Sequence, residues 1–427
     1  MGPASERTLT FDGRAYPDGR ASDPRRFGWM EGAPPPPERR VTFAADRFYE
    51  FPQIRWTLSH TRELVPTVNV WRGRGPAQAL GDPQIADGVA IEALKFQTLD
   101  GRPMGWEDAL LDTYTDGILV LHRGRVLYER YFGALQPHLP HACFSITKSY
   151  VGTLAACLVH EGVLDPNARI PHWLPEMQGT AYEDATLRQV MDMQIGVAYS
   201  EAYADPQAHI WTYARAGGLR PRPPGSDLPE GFHAYLPTLR PEGAHGEAFA
   251  YKTVHTEVLA WVMHRATGVP LARMLSDRLW QPMACQEDGY LTVDALGVPM
   301  GGGGLSATLR DLARFGELMR REGDCNGRQV VPAAVVADIR RGADPARFAK
   351  AGYTLLPGYS YRSMWWVTHD EFGGFEGRGI HGQRLYVAPG ADLVVARFAS
   401  HPVAASAAND PITQPQLRAL AGLLAGR

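Results

Sequence analysis

Residues 150–162 carry a dense apolar run, with Val151, Leu154, Ala155, Ala156, Cys157, Leu158 and Val159 all small or apolar and Gly162 at its end. That pattern predicts a buried helix stopped by glycine. Just upstream, two β-rich stretches, 117–122 and 125–132, flank Arg123-Gly124 and predict a hairpin leading into the helix. After residue 165 the texture changes. Helical periodicity recurs at 186–193, 253–267 and 271–280, separated by loops such as 217–231 that are dense in proline and glycine. Gly301-Gly-Gly-Gly304, then Leu305-Ser306 and a helix from Arg310, mark a return to mixed structure. Strands at 385–388 and 393–398, joined by Pro389-Gly390-Ala391-Asp392, and a helix over 414–424 complete the chain. The expected organisation is an α/β body built from 51–165 and 305–427, with a mostly helical domain, 166–304, inserted into it. Residues 1–50, with four prolines at positions 34–37, read as an extended N-terminal arm.

Composition narrows the class of function. A chain of 427 residues is too long for one simple core. The net charge of −3, with no basic block, argues against nucleic acid or an anionic membrane as partner. No apolar stretch is long enough for a membrane span, and the polar start gives no export signal, so a cytoplasmic location is expected. Cys143, Cys157, Cys285 and Cys325 show no C-x-x-C spacing, which predicts reduced thiols. The histidines include no H-E-x-x-H, so neither a metal nor another cofactor is expected. No G-K-[ST] follows the glycine run and no G-x-S-x-G occurs, which removes a phosphate loop and a nucleophile elbow.

Candidate chemistry sits at the start of the buried helix. Ser145 and Lys148 are three apart, a spacing that puts a hydroxyl and an amine on one helix face. The serine N–H, at a helix start, lacks an intrahelical partner and is free for an oxyanion. A serine needs a base to take its proton, and an amine serves only when neutral, which burial favours. Of 43 basic residues only Lys95, Lys148, Lys252 and Lys350 are lysine; arginine, used everywhere else, cannot give up its proton at working pH. With 13 serines and four lysines, Ser-x-x-Lys arises by chance roughly once in eight such chains. The bare pattern is weak, and its position before a buried helix strengthens it.

Seven segments, that of Ser145 among them, occur in a telling order: Arg55-Trp56…Glu63-Leu64-Val65-Pro66, Phe144-Ser-Ile-Thr-Lys-Ser149, Met191-Asp-Met-Gln194, Phe249-Ala-Tyr251, Thr256-Glu-Val-Leu-Ala-Trp261, Arg310-Asp-Leu-Ala-Arg314 and Gly379-Ile-His-Gly-Gln383. From about Arg55 to His401 the chain resembles the serine β-lactamase-related hydrolases, and within them the 6-aminohexanoate-dimer (nylon-oligomer) hydrolases. The resemblance implies an α/β fold of the β-lactamase/penicillin-binding-protein kind: an antiparallel sheet flanked by helices, an inserted mostly helical domain, and a site in the cleft between them. It implies Ser145 as nucleophile, Lys148 as base and Tyr251 as the relay that protonates the leaving group. The oxyanion hole would be the backbone N–H groups of Ser145 and Ile380. Tyr203 matches a tyrosine that covers the bound amide, and Trp211 and His381 join it as the expected substrate-binding set. Trp365 and Trp366 are either further aromatic surface in the cleft or core packing residues, and each fits the second role at least as well.

Departures from the family pattern bear on substrate. Tyr251-Lys252-Thr253 lacks the asparagine of the β-lactamase triplet, and Gly377-Arg378-Gly379 lacks the lysine that would meet a β-lactam carboxylate. Strand alternation turns Arg378 away from the face of Gly377 and Gly379. Ala214 and Gly302 stand where the nylon-oligomer enzymes can carry polar side chains. The expected activity is hydrolysis of a small linear amide or ester through an acyl-enzyme, without cofactor, with a homodimer as the assembly left open. A broad carboxylesterase, and a slowly deacylating sensor or binding protein on the same scaffold, remain alternatives.

Overall fold

The structure is a computed structural model and describes residues 7–81 and 85–426. Its centre is a seven-stranded antiparallel sheet with the order Ser360–Arg362, Trp365–Val367, Phe375–Gly379, Gln383–Ala388, Leu393–Ala399, Thr115–His122, Arg125–Tyr131. The early hairpin therefore pairs with the last strand of the chain, Val120 opposite Val395. Every residue of Thr115–His122 is buried. Its side chains alternate between two cores, Leu119 and Leu121 in one, Ile118 and Val120 in the other, as a strand covered on both faces requires.

Helix Asp410–Ala425 covers one face through Leu417, Leu420 and Leu424. The other face carries helix Leu309–Arg320, capped by the Thr308 side chain on Asp311 N, and the apolar helix Ile146–His160. Close approach explains two glycines here. A Cβ on Gly152 would stand 2.1 Å from the Ser363 carbonyl, and one on Gly316 would stand 2.5 Å from Val394.

A second, four-stranded sheet places His141–Ala142 beside Leu305–Ala307, then Gly289–Thr292 and Thr67–Val70. Its register, Ala142 opposite Ser306, brings the segment before Ser145 against the return from the helical region. Between them lie helices Leu187–Met191, His209–Ala216, Thr253–Thr267 and Leu271–Leu275, the last continuing as a π turn over Ser276–Trp280. Leu187–Met191 starts at a full capping box between Thr186 and Gln189. One apolar cluster runs from Leu119 in the sheet to Val258 in the longest of these helices.

The N-terminal segment differs from the extended arm that its prolines suggest. Thr8–Phe11 and Arg14–Pro17 pair as a hairpin, and Val41 and Phe48 pack on Trp56. Asp18, 1 % exposed, accepts from the N–H groups of Arg7, Arg20 and Ala21, while Arg55 donates to Gly19 O and Ser22 Oγ. Buried polar turns satisfied by side chains hold this segment down, and hydrophobic periodicity carries no trace of such turns.

Candidate active site

Ser145 is the N-cap of helix Ile146–His160. The turn that delivers it is strained: Phe144 has φ of 44°, the left-handed region that a bulky side chain avoids. The turn is held from both sides, Ala142 N on Leu58 O and Cys143 N on Leu305 O.

Lys148 lies one turn on and is 1 % exposed. Its Nζ donates to Ser145 Oγ at 2.9 Å, Thr253 Oγ1 at 3.2 Å and the Gly302 carbonyl at 2.5 Å. Burial lowers its pKa to about 8, against the opposing charges of Glu201 and Glu257. A lysine so placed reaches its neutral form near physiological pH with its lone pair beside a serine hydroxyl. Tyr251 joins them: its ring centre is 5.2 Å from Lys148 Nζ, and Ser145 is near enough to act on its phenol. Burial keeps this phenol well above its ordinary pKa, so it is a protonated donor at neutral pH.

The strand Phe375–Gly379 runs beside the serine. A Cβ on Gly379 would stand 2.7 Å from Cys143 O, and one on Gly377 would stand 3.1 Å from Ile146 and from Ser149. This close approach sets Ile380 next to the Phe144–Ser145 turn. Among the described residues, neither Ser145 N–H nor Ile380 N–H is drawn into a turn or cap bond. Arg378 points to the other face. Its guanidinium binds Glu376 and Asp410, which Arg384 also binds.

The expected substrate-binding residues differ in what holds them. Tyr203 meets Trp211 edge-on at 6.0 Å, and burial and the nearby Glu201 charge push its phenol well above the ordinary value. Of its neighbours, Tyr213 is turned inward to Glu257 at 2.6 Å, and Tyr199 is 3 % exposed, its ring on His209. His381, at φ of 61°, is buried and bonded through Nδ1 to His401 O at 2.7 Å, and burial lowers its pKa to about 4. It is therefore a neutral ring, tilted against Phe144 at 5.6 Å. Trp365 and Trp366 are core residues, the packing role of the two that their sequence position left open. Trp365 donates to Thr153 Oγ1, and Trp366 backs Tyr251 at 5.2 Å.

Three side chains, Thr253, Glu257 and Glu201, and the Gly302 carbonyl have roles here that the sequence did not assign to them. The Thr253 hydroxyl stands where the triplet lacks its asparagine and receives Lys148. Glu257, one turn further on that helix, accepts from Gly301 N at 2.9 Å, Gly302 N at 2.8 Å and the Tyr213 hydroxyl. It thereby fixes the turn whose carbonyl binds Lys148. Gly302 has no room for a polar side chain, since a Cβ would stand 2.5 Å from Thr253 and 2.8 Å from Glu257. Glu201, the fourth, accepts from Thr253 N. The i, i+4 spacing of Thr253 and Glu257 was the available signal, but it does not say what the pair faces.

Among the described residues no cluster of histidine, cysteine and carboxylate could hold a metal, and the four cysteines are free. A cavity of about 630 Å³ lies away from Ser145, beside Asp192, His245 and Arg347. Its Arg188 and Arg362 are engaged by Asp192.

Residues 106–417 match the family model described as Beta-lactamase. The chain belongs to the beta-lactamase family. As a member it is a serine hydrolase of amides or esters. It is 36 % identical over 358 residues to a 6-aminohexanoate-dimer hydrolase of Paenarthrobacter ureafaciens, spanning 84 % of this chain and 88 % of that one. A solved structure from Bacillus anthracis, also named a 6-aminohexanoate-dimer hydrolase, superposes with a TM-score of 0.79 at 27 % identity, covering 90 % and 97 % of the two chains. A penicillin-binding protein homolog from Caulobacter crescentus shares the fold at a TM-score of 0.52 and 16 % identity, over 71 % of this chain and 91 % of that one. Like these relatives, this beta-lactamase-family chain sets helices against an antiparallel sheet. No helix among its described residues is long and apolar enough to cross a membrane.

Proposed function

We propose that this chain hydrolyses linear amides of the ω-amino-acid type, and short acyl esters, through an acyl-enzyme on Ser145. The observation that carries the reading is the 2.9 Å contact between Ser145 Oγ and a buried lysine amine whose pKa falls to about 8. Neutral Lys148 takes the hydroxyl proton as Oγ attacks the carbonyl carbon. The oxyanion forms against the N–H groups of Ser145 and Ile380. The proton then passes through Tyr251 to the leaving nitrogen, the C–N bond breaks and an amine departs. Water attacks the ester so formed and gives its proton to the Lys148–Tyr251 pair, which passes it to Ser145 Oγ as the C–O bond breaks and the acid leaves. An amide nitrogen must be protonated before it leaves, which is the reason for a tyrosine that stands beside the serine and keeps its own proton. Tyr203 and Trp211 supply aromatic cover for an extended chain. A cytoplasmic setting belongs to this reading, since the cysteines have no C-x-x-C spacing and Cys143, Cys157 and Cys285 are buried as packing residues.

Mass spectrometry with p-nitrophenyl acetate, followed by a panel of linear amides, tests this. Transient acetylation of Ser145 with turnover of both substrate types is the expected result. A long-lived adduct would instead make the chain a sensor, and ester turnover with no amide turnover would make it a carboxylesterase.

A further inference from the structure

We propose that Arg220 forms a subsite for a carboxylate, so that the preferred substrates are linear amides ending in a free acid. This rests on the reading of the site given above and names the substrate class for it.

Arg220 lies on the loop after helix His209–Ala216 and is 18 % exposed in its side chain. Its Nη1 donates to Asp46 Oδ1 at 2.9 Å and to the Asp46 carbonyl at 3.4 Å. The guanidinium lies 4.7 Å from the ring centre of Trp211. Nε and Nη2 have no partner among the described residues. These two nitrogens form the side edge of the guanidinium, the fork that grips a carboxylate with two parallel N–H···O bonds. Stacking on an indole pre-orders that fork and lowers the entropy lost when it binds.

Two lines of contact connect it to the site. On one side Trp211 leads to Tyr203. On the other, the segment holding Asp46 continues to Tyr49, whose ring is 5.9 Å from that of Phe144, the residue before Ser145. The charge of Arg220 also reaches His381, next to Ile380. A guanidinium partly offset by one aspartate suits a monoanion better than a phosphate dianion, and the aromatic walls suit a methylene chain between that anion and the scissile bond. The N-terminal segment thereby enters the specificity of the site.

The test measures inhibition of p-nitrophenyl acetate hydrolysis by linear monocarboxylates and by their dimethylamides, alongside hydrolysis of N-acyl ω-amino acids with the acid free or capped as dimethylamide. The acids should inhibit at least about tenfold better than the capped compounds, and free-acid amides should show the lower KM. Arg220→Gln should bring both preferences close to one, acting on KM more than on kcat; Arg220→Lys should restore part of them. Asp46→Asn, which removes the competing anion and keeps the guanidinium, should preserve or sharpen the preference. Equal loss on acid and capped compounds in Arg220→Gln, or no preference in the unmodified protein, would overturn the subsite. Inhibition is read on an ester, so absence of amide hydrolysis would count against the proposed amide substrate and leave the subsite test intact.

Discussion

Replacing Lys148 by arginine keeps the positive charge and removes the ability to lose it. With the lysine lowered to about 8, roughly a tenth of the protein carries a neutral amine at pH 7, whereas an arginine stays protonated at any working pH. The base-competent population is therefore all but removed. Geometry adds to this. Three acceptors converge on one nitrogen between 2.5 and 3.2 Å, and a planar guanidinium cannot occupy that point without displacing Gly302 or Thr253. Substrate binding and the oxyanion donors survive, so the observed loss should be at least about 10³ in kcat/KM. The assay is the pH–rate profile on p-nitrophenyl acetate, with thermal unfolding to verify the fold. A base must be deprotonated, so unmodified protein should gain activity as pH rises and level off above the apparent pKa of the Ser145/Lys148/Tyr251 unit, near 8. Lys148→Ala should recover part of the lost rate with added small amines, in their neutral form. If folded Lys148→Arg keeps more than about a tenth of the turnover, a loss under ~1.4 kcal/mol, the lysine is not the base.

Tyr251→Phe should slow amides far more than p-nitrophenyl esters, because only the amide nitrogen needs a proton to depart; equal losses on both would remove the relay role. Glu257→Gln removes a negative charge that raises the Lys148 pKa, so the acid limb of kcat/KM should move to lower pH while kcat falls about tenfold as the Gly301–Gly302 turn loosens. An unmoved limb with only a lower melting temperature would make Glu257 structural. Gly379→Ala forces a methyl to 2.7 Å from a backbone oxygen and should cost most of the ester turnover with about 1–3 kcal/mol of stability, read by kinetics and urea unfolding. Arg378→Met leaves Glu376 and Asp410 with one cation in place of two, and should destabilise by about 3–5 kcal/mol with little change in KM.

Sequence alone determined those features whose cause is local. Ser145 and Lys148 were legible because a helix brings i and i+3 together whatever surrounds it. The hairpin at 115–131 and the helix Thr253–Thr267 were legible from periodicity and turn chemistry, and the order of motifs was enough for the family. Tertiary structure decided what lies across the chain from these. Thr253 and Gly302 stand 105 and 154 residues from Lys148 yet complete its hydrogen bonds, and no pattern along the chain records which carbonyl a lysine will find. The same holds for Arg220, set over Trp211 by an aspartate 174 residues earlier. The N-terminal segment misled for a related reason. Its anchors are buried polar turns, Asp18 and Ser22 among them, and a polar residue reads as exposed until its partners are known. The lysine chemistry divides along this line too. Sequence placed an amine beside a hydroxyl, but only the dry, enclosed interior drives its pKa down toward 8, because desolvation is a property of everything packed around it.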